Sequence, residues 1–471
     1  MTDSQTQEAV KAEISELVAR ARAAQSSISD YTQEQVDDLC TAVAWSVARP
    51  DRAEALAKLA VDEGGFGNYE DKVIKIGKRV MGALADMLPV ATVGVVERDD
   101  ARGLVKIAKP VGVVAALIPT TGPDATPPMK ALFALKGRNA IIMSAHPRTY
   151  ETTVAVVGYM REACRQVGAP EELIQTVADP SLAKTQELMR QADLIVATGG
   201  AGMVKAAYSS GTPAYGVGVG NSVHVVDETA DLKDAAVAIA VAKTFDYATS
   251  CLADNAVVAE ASIYSALCTE LVAQGGYVCD ADQKAALQKA MWPDGGHIPA
   301  IGVIAKPAST IAALAGFTIP ADRTFLIVEE DGVGHDHPFS GEKLSVVLAL
   351  YSYTGGIQAA IQRVNAITGY QGLGHTCGIH TGDEDNIDAL ANGTKTGRVM
   401  VNQNLNEGAG SPRNGLPFTL SLSCGTWGGN ITTENVNARH FINLTWVSRP
   451  ITPRAVSPES LFAGHWQKYG R

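Results

Sequence analysis

Cys251 stands in a segment whose residue types suit a nucleophile. The segment TFDYATSCLADNAVV, residues 244–258, places this cysteine between a predicted helix and an apolar run that predicts a strand. Small polar residues precede it and leave the sulfur approachable, and a thiolate attacks a carbonyl carbon readily. Taken alone, this interpretation competes with a simpler one, in which Cys251 is a small buried side chain of the core.

A glycine-rich turn offers a different chemistry, the binding of a phosphate group. It follows the apolar segment 194–197, opens a predicted helix, and contains Thr198, Gly199, Gly200 and Gly202. Backbone N–H groups at the start of a helix can face a pyrophosphate. Purely structural turns are also rich in glycine, so the turn by itself does not decide between a phosphate-binding role and a structural one.

The surrounding sequence predicts an α/β protein. Apolar strand candidates alternate with amphipathic helices, an arrangement typical of parallel sheets that bind nucleotides at their strand ends. Helices are predicted over 5–60, with a break near Ser27–Asp30, and over 70–90. The predicted strands are 140–144, 173–177, 194–197, 223–226, 256–259, 301–304, 325–328 and 345–351.

The predicted helix over 70–90 carries four basic residues, Lys72, Lys75, Lys78 and Arg79. Charged residues on neighbouring helix faces usually form a solvated surface, and a phosphate site is the alternative. We therefore expect these four side chains to face the solvent.

Composition and charge narrow the range of functions. A chain of 471 residues exceeds one ordinary domain and predicts about two or three. Its net charge of −11 argues against a nucleic-acid partner, and no apolar stretch approaches the length of a bilayer, so no membrane partner is expected. Seven cysteines without a Cys-x-x-Cys pair, behind a polar N-terminus, predict reduced thiols and a cytoplasmic protein.

Five segments, in order along the chain, resemble those of CoA-acylating aldehyde dehydrogenases. This group includes the aldehyde dehydrogenase half of the bifunctional aldehyde-alcohol dehydrogenases. The segments are YEDKVIK at 69–75, IPTTGPDATPPMKALFALKGRNAIIMSAHPR at 118–148, ATGGAGMVKAAYSSGTPAYGVGVGN at 197–221, GLGHT at 372–376 and CGTWGGNITTENV at 424–436. The resemblance runs almost from end to end and implies the fold of the aldehyde dehydrogenase superfamily.

The resemblance also implies a division of the chain. A Rossmann-like cofactor domain is expected over residues 1–227, completed by part of 426–471, and an α/β catalytic domain over 228–425. A hairpin candidate at 103–118 and a strand at 441–449 resemble the elements that pair subunits. A homodimer or a homotetramer is therefore expected.

The resemblance assigns to Cys251 the attack on an aldehyde. Hydride then passes to NAD or NADP and leaves a thioester on the enzyme, while fixed donors stabilise the oxyanion. One donor is the backbone N–H of Cys251 and the other is Thr121, unless Thr121 is only a structural residue of its Thr-Thr-Gly-Pro turn. Relatives usually read PTTNP, and Gly122 replaces that asparagine here.

The fate of the thioester decides the class of enzyme. Hydrolytic aldehyde dehydrogenases carry a glutamate that activates water, whereas Val217 lies near that position in this chain. An apolar side chain cannot act as a general base, so coenzyme A is expected to take the acyl group. Two alternatives stay open, a hydrolytic enzyme that turns over without CoA and a non-catalytic protein in which Cys251 is unreactive.

Three further residues are expected at the cofactor. Ser144 and His146 follow a predicted strand, and the His146-Pro147 pair resembles the Lys-Pro pair that contacts the adenosine ribose. Glu342 matches the glutamate that holds the nicotinamide ribose. The alternatives are a surface histidine for His146 and a solvent-exposed loop residue for Glu342.

The choice between NADP and NAD depends on the residues that follow the His-Pro pair. NAD-specific relatives often place an acid at the position of Thr149, where it repels a 2′-phosphate. That acid is absent here and Arg148 is adjacent, which favours NADP, although Glu151 weighs against it.

The loop 402–414 is expected to hold the substrate. It is more polar than in acetaldehyde enzymes and resembles acylating sulfoacetaldehyde dehydrogenases in this respect, with Asn406 and Arg413 as candidate contacts. Arg413 would pair with a sulfonate or carboxylate through a bidentate contact, and a structural role or a CoA-phosphate contact is the alternative. Sulfoacetaldehyde is the favoured substrate, with acetaldehyde or another small aldehyde next.

No metal is expected, since His335-Asp336-His337 is an incomplete ligand set.

Overall fold

Three separate sheets organise the chain in a computed structural model that describes residues 3–471. Residues 1 and 2, with which the predicted cofactor domain begins, lie outside the described residues. Four helices come first, and two antiparallel strands follow. They are α1 (Asp3–Ser27), α2 (Gln33–Ala48), α3 (Pro50–Gly64), α4 (Tyr69–Met87), β1 (Gly94–Asp99) and β2 (Leu104–Pro110). The helix break predicted near Ser27–Asp30 is confirmed, since α1 ends at Ser27.

A five-stranded parallel sheet forms the centre of the first half. Its strands are β3 (Val113–Leu117), β4 (Ala140–Ser144), β5 (Ile174–Thr176), β6 (Leu194–Ala197) and β7 (Ala214–Gly216). They lie in the order β5-β4-β3-β6-β7, so the chain reverses its direction of winding beside β3. The helices of this half are α5 (Thr126–Lys136), α6 (Tyr150–Gln166), α7 (Leu182–Gln191) and α8 (Ala201–Tyr208). Ligands of such sheets bind at the carboxyl ends of the strands on either side of the reversal.

A seven-stranded parallel sheet forms the second half. Its strands are β8 (Ser222–Val226), β9 (Asp254–Glu260), β10 (Gly276–Val278), β11 (Phe325–Glu329), β12 (Val347–Tyr353), β13 (Gly374–His380) and β14 (Thr396–Val401), in the order β10-β11-β12-β9-β8-β13-β14. Its helices are α9 (Leu232–Thr244), α10 (Tyr264–Ala273), α11 (Ala281–Met291), α12 (Ala308–Leu314), α13 (Ile357–Tyr370) and α14 (Glu384–Gly393). Buried aliphatic side chains fill most positions of the central strands, as expected where helices cover both faces.

The C-terminal part of the chain returns to the first half. Phe418, Val436 and Phe441 are buried in the hydrophobic core around the five-stranded sheet, so this return begins before the predicted boundary at residue 425. It ends in β15 (Ile442–Ser448) and α15 (Pro458–Tyr469). No helix among the described residues is long and apolar enough to cross a membrane.

The hairpin predicted at 103–118 does not form. Strand β2 pairs with β1 on one side and β15 on the other, whereas β3 lies fully buried in the five-stranded sheet. The chain turns between them at Gly112, which has a φ of 128° and lies so close to Asp193 that a Cβ would come within 2.3 Å of Oδ2. The Asn139 side chain accepts hydrogen bonds from the N–H groups of Val111 and Gly112, at 2.6 and 2.9 Å.

The strand predicted at 301–304 is also wrong. This segment forms a turn, in which the Val303 N–H donates to the Ala300 carbonyl at 3.0 Å. Ile301 is exposed and Val303 is buried, so the short apolar run does not belong to a sheet. The strand predicted at 345–351 is present as β12, displaced by two residues toward the C-terminus.

Candidate active site

A cavity of about 790 Å³ opens between the five-stranded and seven-stranded sheets. Leu117, Ser144 and Thr198 line it at the carboxyl ends of β3, β4 and β6, where the winding of the first sheet reverses. The second half contributes the segment 249–251, with Glu342 and Leu344. The cavity therefore joins the predicted phosphate turn and the predicted nucleophile in one space.

Cys251 lies between α9 and β9 and is partly exposed to the cavity. Its carbonyl accepts a hydrogen bond from Ser222 Oγ at 3.2 Å. Gly220 separates it from Glu342: a Cβ on Gly220 would stand 2.6 Å from Cys251 Cβ and 2.7 Å from Glu342 Oε1. Glycine is therefore required at this point if the thiol and the carboxylate are to share one end of the cavity.

The backbone just before the nucleophile adopts a left-handed turn. Asp246, Tyr247 and Ala248 have φ angles of 48°, 49° and 62° in succession. Each non-glycine residue in this region costs about 1–2 kcal/mol. The turn redirects the chain from the end of α9 into the cavity, and other contacts must hold it in place.

Those contacts come from helix α4 in the first half of the chain. The buried Asp246 carboxylate accepts from Lys75 Nζ at 2.8 Å and from Lys72 Nζ at 3.1 Å. It also accepts from Thr249 Oγ1 at 2.8 Å and from the Asn68 N–H at 3.0 Å. Nearby positive charges hold the pKa of Asp246 below its usual range, although burial acts in the opposite direction and is the larger single influence.

The solvated helix face predicted for α4 is therefore wrong for most of its basic residues. Lys72 and Arg79 are buried, Lys75 is largely buried, and Lys78 alone of the four is exposed. The signal was present in the sequence: Lys72 and Arg79 share the helical stripe of Ile76 and Ala83. Basic residues on an apolar stripe are directed toward the interior, where they need partners.

The environment of the Cys251 thiol disfavours its ionisation. Burial raises the pKa of Cys251 to about 12, the Glu342 carboxylate and the Cys424 thiol act in the same direction, and Arg398 opposes them. Burial likewise raises the pKa of Glu342 to about 8. Both shifts favour the protonated forms, the thiol of Cys251 and the carboxyl group of Glu342.

Apolar side chains surround the sulfur on its other side. Val217, Leu252, Ala409 and Leu422 form a small buried cluster against which Cys251 packs. Val217, which the sequence predicts near the position of the hydrolytic glutamate, contributes only methyl groups to this wall. No group at Val217 can take a proton from water.

The residues predicted for the cofactor are mostly brought together. Ser144, His146, Thr198, Gly199 and Gly200 line the cavity. No side chain caps the start of α8 at Gly200, so the first N–H groups of the helix stay available to an anion.

Two of the predicted cofactor residues lie away from the cavity lining. Gly202 belongs to the first turn of α8, and the Arg148 guanidinium stacks over the Phe66 ring at 5.2 Å. The backbone N–H of Gly202 is one of those at the uncapped start of α8, whereas the Arg148 side chain does not line the cavity.

Of the residues predicted for the reaction and the substrate, Thr121 and Asn406 line the cavity and Arg413 does not. Asn406 is buried, and its Nδ2 donates to the Ala242 carbonyl at 3.1 Å. The Arg413 side chain is 75% exposed and points to Glu407, with Nε and Oε1 3.7 Å apart. The turn at Ser411, whose Oγ accepts from the Arg413 N–H, directs this residue outward.

Comparisons with known proteins place these observations in a family. The family model of aldehyde dehydrogenases matches residues 3–278, more than half of the chain. This chain belongs to the aldehyde dehydrogenase family. The fold class and the family predicted from its motifs are confirmed.

Individual relatives are similar over almost the full length. The chain is 43% identical to a sulfoacetaldehyde dehydrogenase (acylating) of Bilophila wadsworthia, over 97% of this chain and 99% of the relative. An acetylating aldehyde dehydrogenase from Geobacillus thermoglucosidasius is 37% identical, with a TM-score of 0.91 over 96% and 99% of the two chains. A Rhodopseudomonas palustris propionaldehyde dehydrogenase, solved with bound CoA and an acylated cysteine, is 25% identical, with a TM-score of 0.83 over 93% and 97%.

Asp246→Asn tests the left-handed turn as a positioning device. The change leaves the buried Lys72 ammonium without a carboxylate and Lys75 with Asp124 alone, and should destabilise the protein by roughly 3–5 kcal/mol. In the folded fraction kcat should fall about 100-fold, because a small displacement of a nucleophile has effects of this size. Activity per folded molecule and urea unfolding measure the two effects, with the exposed Asp62→Asn as the control. Unchanged kcat in folded Asp246→Asn would leave the cluster with a structural role only.

The ionisation of Cys251 can be followed by alkylation of the cofactor-free protein. A thiol with a pKa of about 12 ionises about tenfold more for each pH unit, so the rate with iodoacetamide should rise continuously from pH 7 to pH 10. Mass spectrometry of the Cys251 peptide gives the rate, and the partly exposed Cys268 in the same sample is the internal reference. A plateau that begins below pH 8 contradicts the expectation.

Proposed function

We propose that this protein is a CoA-acylating aldehyde dehydrogenase that oxidises a small aldehyde to its acyl-CoA. The observation that carries the proposal is the Cys251 thiol in a cavity shared with the glycine-rich turn, with Val217 and its apolar neighbours where a hydrolytic enzyme needs a base. Two of the relatives named above are acylating or acetylating enzymes by name, and the third was solved with CoA and an acylated cysteine.

In the proposed reaction Cys251 attacks the aldehyde carbon, and the thiol proton passes to solvent in the open cavity as the carbon–sulfur bond forms. The Cys251 N–H and the Thr121 hydroxyl stabilise the oxyanion. The nicotinamide group supplies the acceptor for the hydride, which leaves a thioester on Cys251. The cavity residue Glu342 would orient the nicotinamide ribose, and Ser144 and His146 would hold the adenosine side.

The residues present fit a dinucleotide. The uncapped start of α8 offers N–H groups to a pyrophosphate beside Thr198, Gly199 and Gly200. Aldehyde dehydrogenases transfer hydride to NAD or NADP, and Arg148 beside the His-Pro turn favours NADP. The five-stranded half is thus the proposed cofactor domain and the seven-stranded half the catalytic domain.

The acyl group then passes to the CoA thiol. Thioester exchange forms one carbon–sulfur bond and breaks another, so it is nearly balanced in free energy and the overall reaction is reversible. Because Val217 cannot activate water, the acyl-enzyme persists until the thiol arrives. The substrate that we propose is sulfoacetaldehyde, on which the Bilophila relative acts by its name. Acetaldehyde is the second candidate.

The test is the formation of reduced cofactor from sulfoacetaldehyde or acetaldehyde, with and without CoA. Turnover should depend strictly on CoA. Val217→Glu should add a slow turnover without CoA, because it places a carboxylate beside the thioester. Val217→Gln has the same size without the base and is the matched control. Sustained CoA-independent turnover by the unaltered protein would contradict the acylating function.

We also propose that the protein forms a homo-oligomer through its three-stranded sheet. Leu444 and Trp446 alternate along β15, lie on the same face of the sheet and are 42% and 53% exposed. Large apolar side chains clustered on a strand surface are typical of a subunit contact.

The seven unbridged cysteines favour a cytoplasmic location.

Trp446→Glu together with Leu444→Lys should shift the protein to smaller species in sedimentation velocity, because charges replace the apolar contact without changing net charge. The exposed pair Asn443→Glu and Ser448→Lys is the control on the same strand. An unchanged sedimentation coefficient for the first variant would place the subunit contact elsewhere.

A further inference from the structure

Two basic side chains, Lys75 and Arg79, line the cavity that contains Cys251. They differ in how their charges are compensated. Lys75 Nζ lies 2.8 Å from Asp246 and 3.4 Å from Asp124, so two carboxylates neutralise it. Arg79 has no carboxylate within 4.0 Å among the described residues. Glu407 is the carboxylate that acts on the pKa of Arg79, but its Oε1 lies 3.7 Å from Nε of Arg413.

Only backbone carbonyls accept hydrogen bonds from the Arg79 guanidinium, which also lies over the Phe418 ring at 5.9 Å from its centroid. It donates to the carbonyls of Ala409 and Gly410 at 2.9 Å each, and to that of Asn406 at 2.9 Å. A guanidinium has five N–H donors, and three are engaged in this way. The remaining two have no hydrogen-bond partner among the described residues, and Arg79 lines the cavity.

Burial of such a cation is costly unless an anion accompanies it. Arg79 is 8% exposed, and burial is the main cause that lowers its pKa to about 10. It still carries its charge at neutral pH. A buried cation that faces a substrate cavity and lacks a counter-ion is complementary to an anionic substrate.

We propose that Arg79 binds the anionic substituent of the aldehyde and thereby selects a sulfonated substrate over a neutral one. This inference rests on the proposed acylating function. It replaces the role predicted for Arg413, whose side chain lies outside the cavity. Two parallel N–H donors match two oxygens of a sulfonate. Because Arg79 also fixes the 406–410 backbone, the substrate loop and the anion contact depend on one side chain.

The first experiment compares kcat/KM for sulfoacetaldehyde and acetaldehyde in three variants, each with CoA present. Arg79→Gln removes the charge and should lower kcat/KM for sulfoacetaldehyde about 100-fold, as expected for a lost charge-assisted contact. Acetaldehyde has no anion to lose and should change less than about threefold. Arg79→Lys restores the charge and should recover most of the preference. Lys78→Gln, the same loss of charge at the neighbouring exposed position, should leave both values unchanged.

The second experiment uses the unaltered protein and does not depend on the folding of a variant. Ethanesulfonate should slow the alkylation of Cys251 by iodoacetamide, and the neutral ethyl methyl sulfone at the same concentration should not. Protection by both compounds, or by neither, would overturn the proposal.

The outcomes distinguish failure of the Arg79 contact from failure of the proposed function. Equal losses for both aldehydes in Arg79→Gln would show that Arg79 only supports the loop, and would overturn the anion contact while the acylating function stands. A retained preference for sulfoacetaldehyde in Arg79→Gln would overturn it as well. CoA-dependent oxidation of acetaldehyde without a preference for sulfoacetaldehyde in the unaltered protein would contradict the proposed substrate itself.

Discussion

The ionic contacts of Asp246 with Lys72 and Lys75 connect the two halves of this protein at the point where the nucleophile is positioned. Helix α4 packs with the first half, and Asp246 precedes Cys251 in the second. The contacts hold three left-handed residues in a conformation that they would not adopt alone. The site is therefore formed only when both halves are folded and joined.

The surroundings of Cys251 combine two effects of a low-polarity environment. Burial beside Val217 and Leu252 disfavours the thiolate and raises the pKa of the thiol. The same neighbours provide no base for water, so a thioester on this sulfur is protected until another nucleophile enters. A single apolar cluster thus limits the reactivity of the resting thiol and directs the acyl group to transfer.

Charge compensation distinguishes the basic residues of α4 from one another. Lys72 and Lys75 share the carboxylates of Asp246 and Asp124 and belong to the scaffold. Arg79, one turn further along the helix, has only carbonyl partners and remains available for a ligand charge. Burial alone would not separate these roles, because all three side chains lie at or near the interior.

The sequence by itself determined the α/β class, the family, the nucleophile candidate and most of the strands. These depend on local periodicity and on short contiguous motifs, such as 244–258 and 197–221, which carry their information within a few residues. It also indicated that Cys251, Thr121, Asn406, Glu342 and the glycine-rich turn belong together, and the cavity brings these residues into one space.

Only the tertiary structure decided which partners the buried charged side chains have and which sheet each strand joins. Arg79 is bonded to Gly410, 331 positions away, and Asp246 is bonded to Lys72, 174 positions away, so neither partner could be inferred from neighbouring residues. Strand β2 joined β15 and left β3 to another sheet because Asn139 and Gly112 turn the chain between them. Burial and pairing arise from contacts between distant segments, whereas a sequence pattern reports only what each segment prefers on its own.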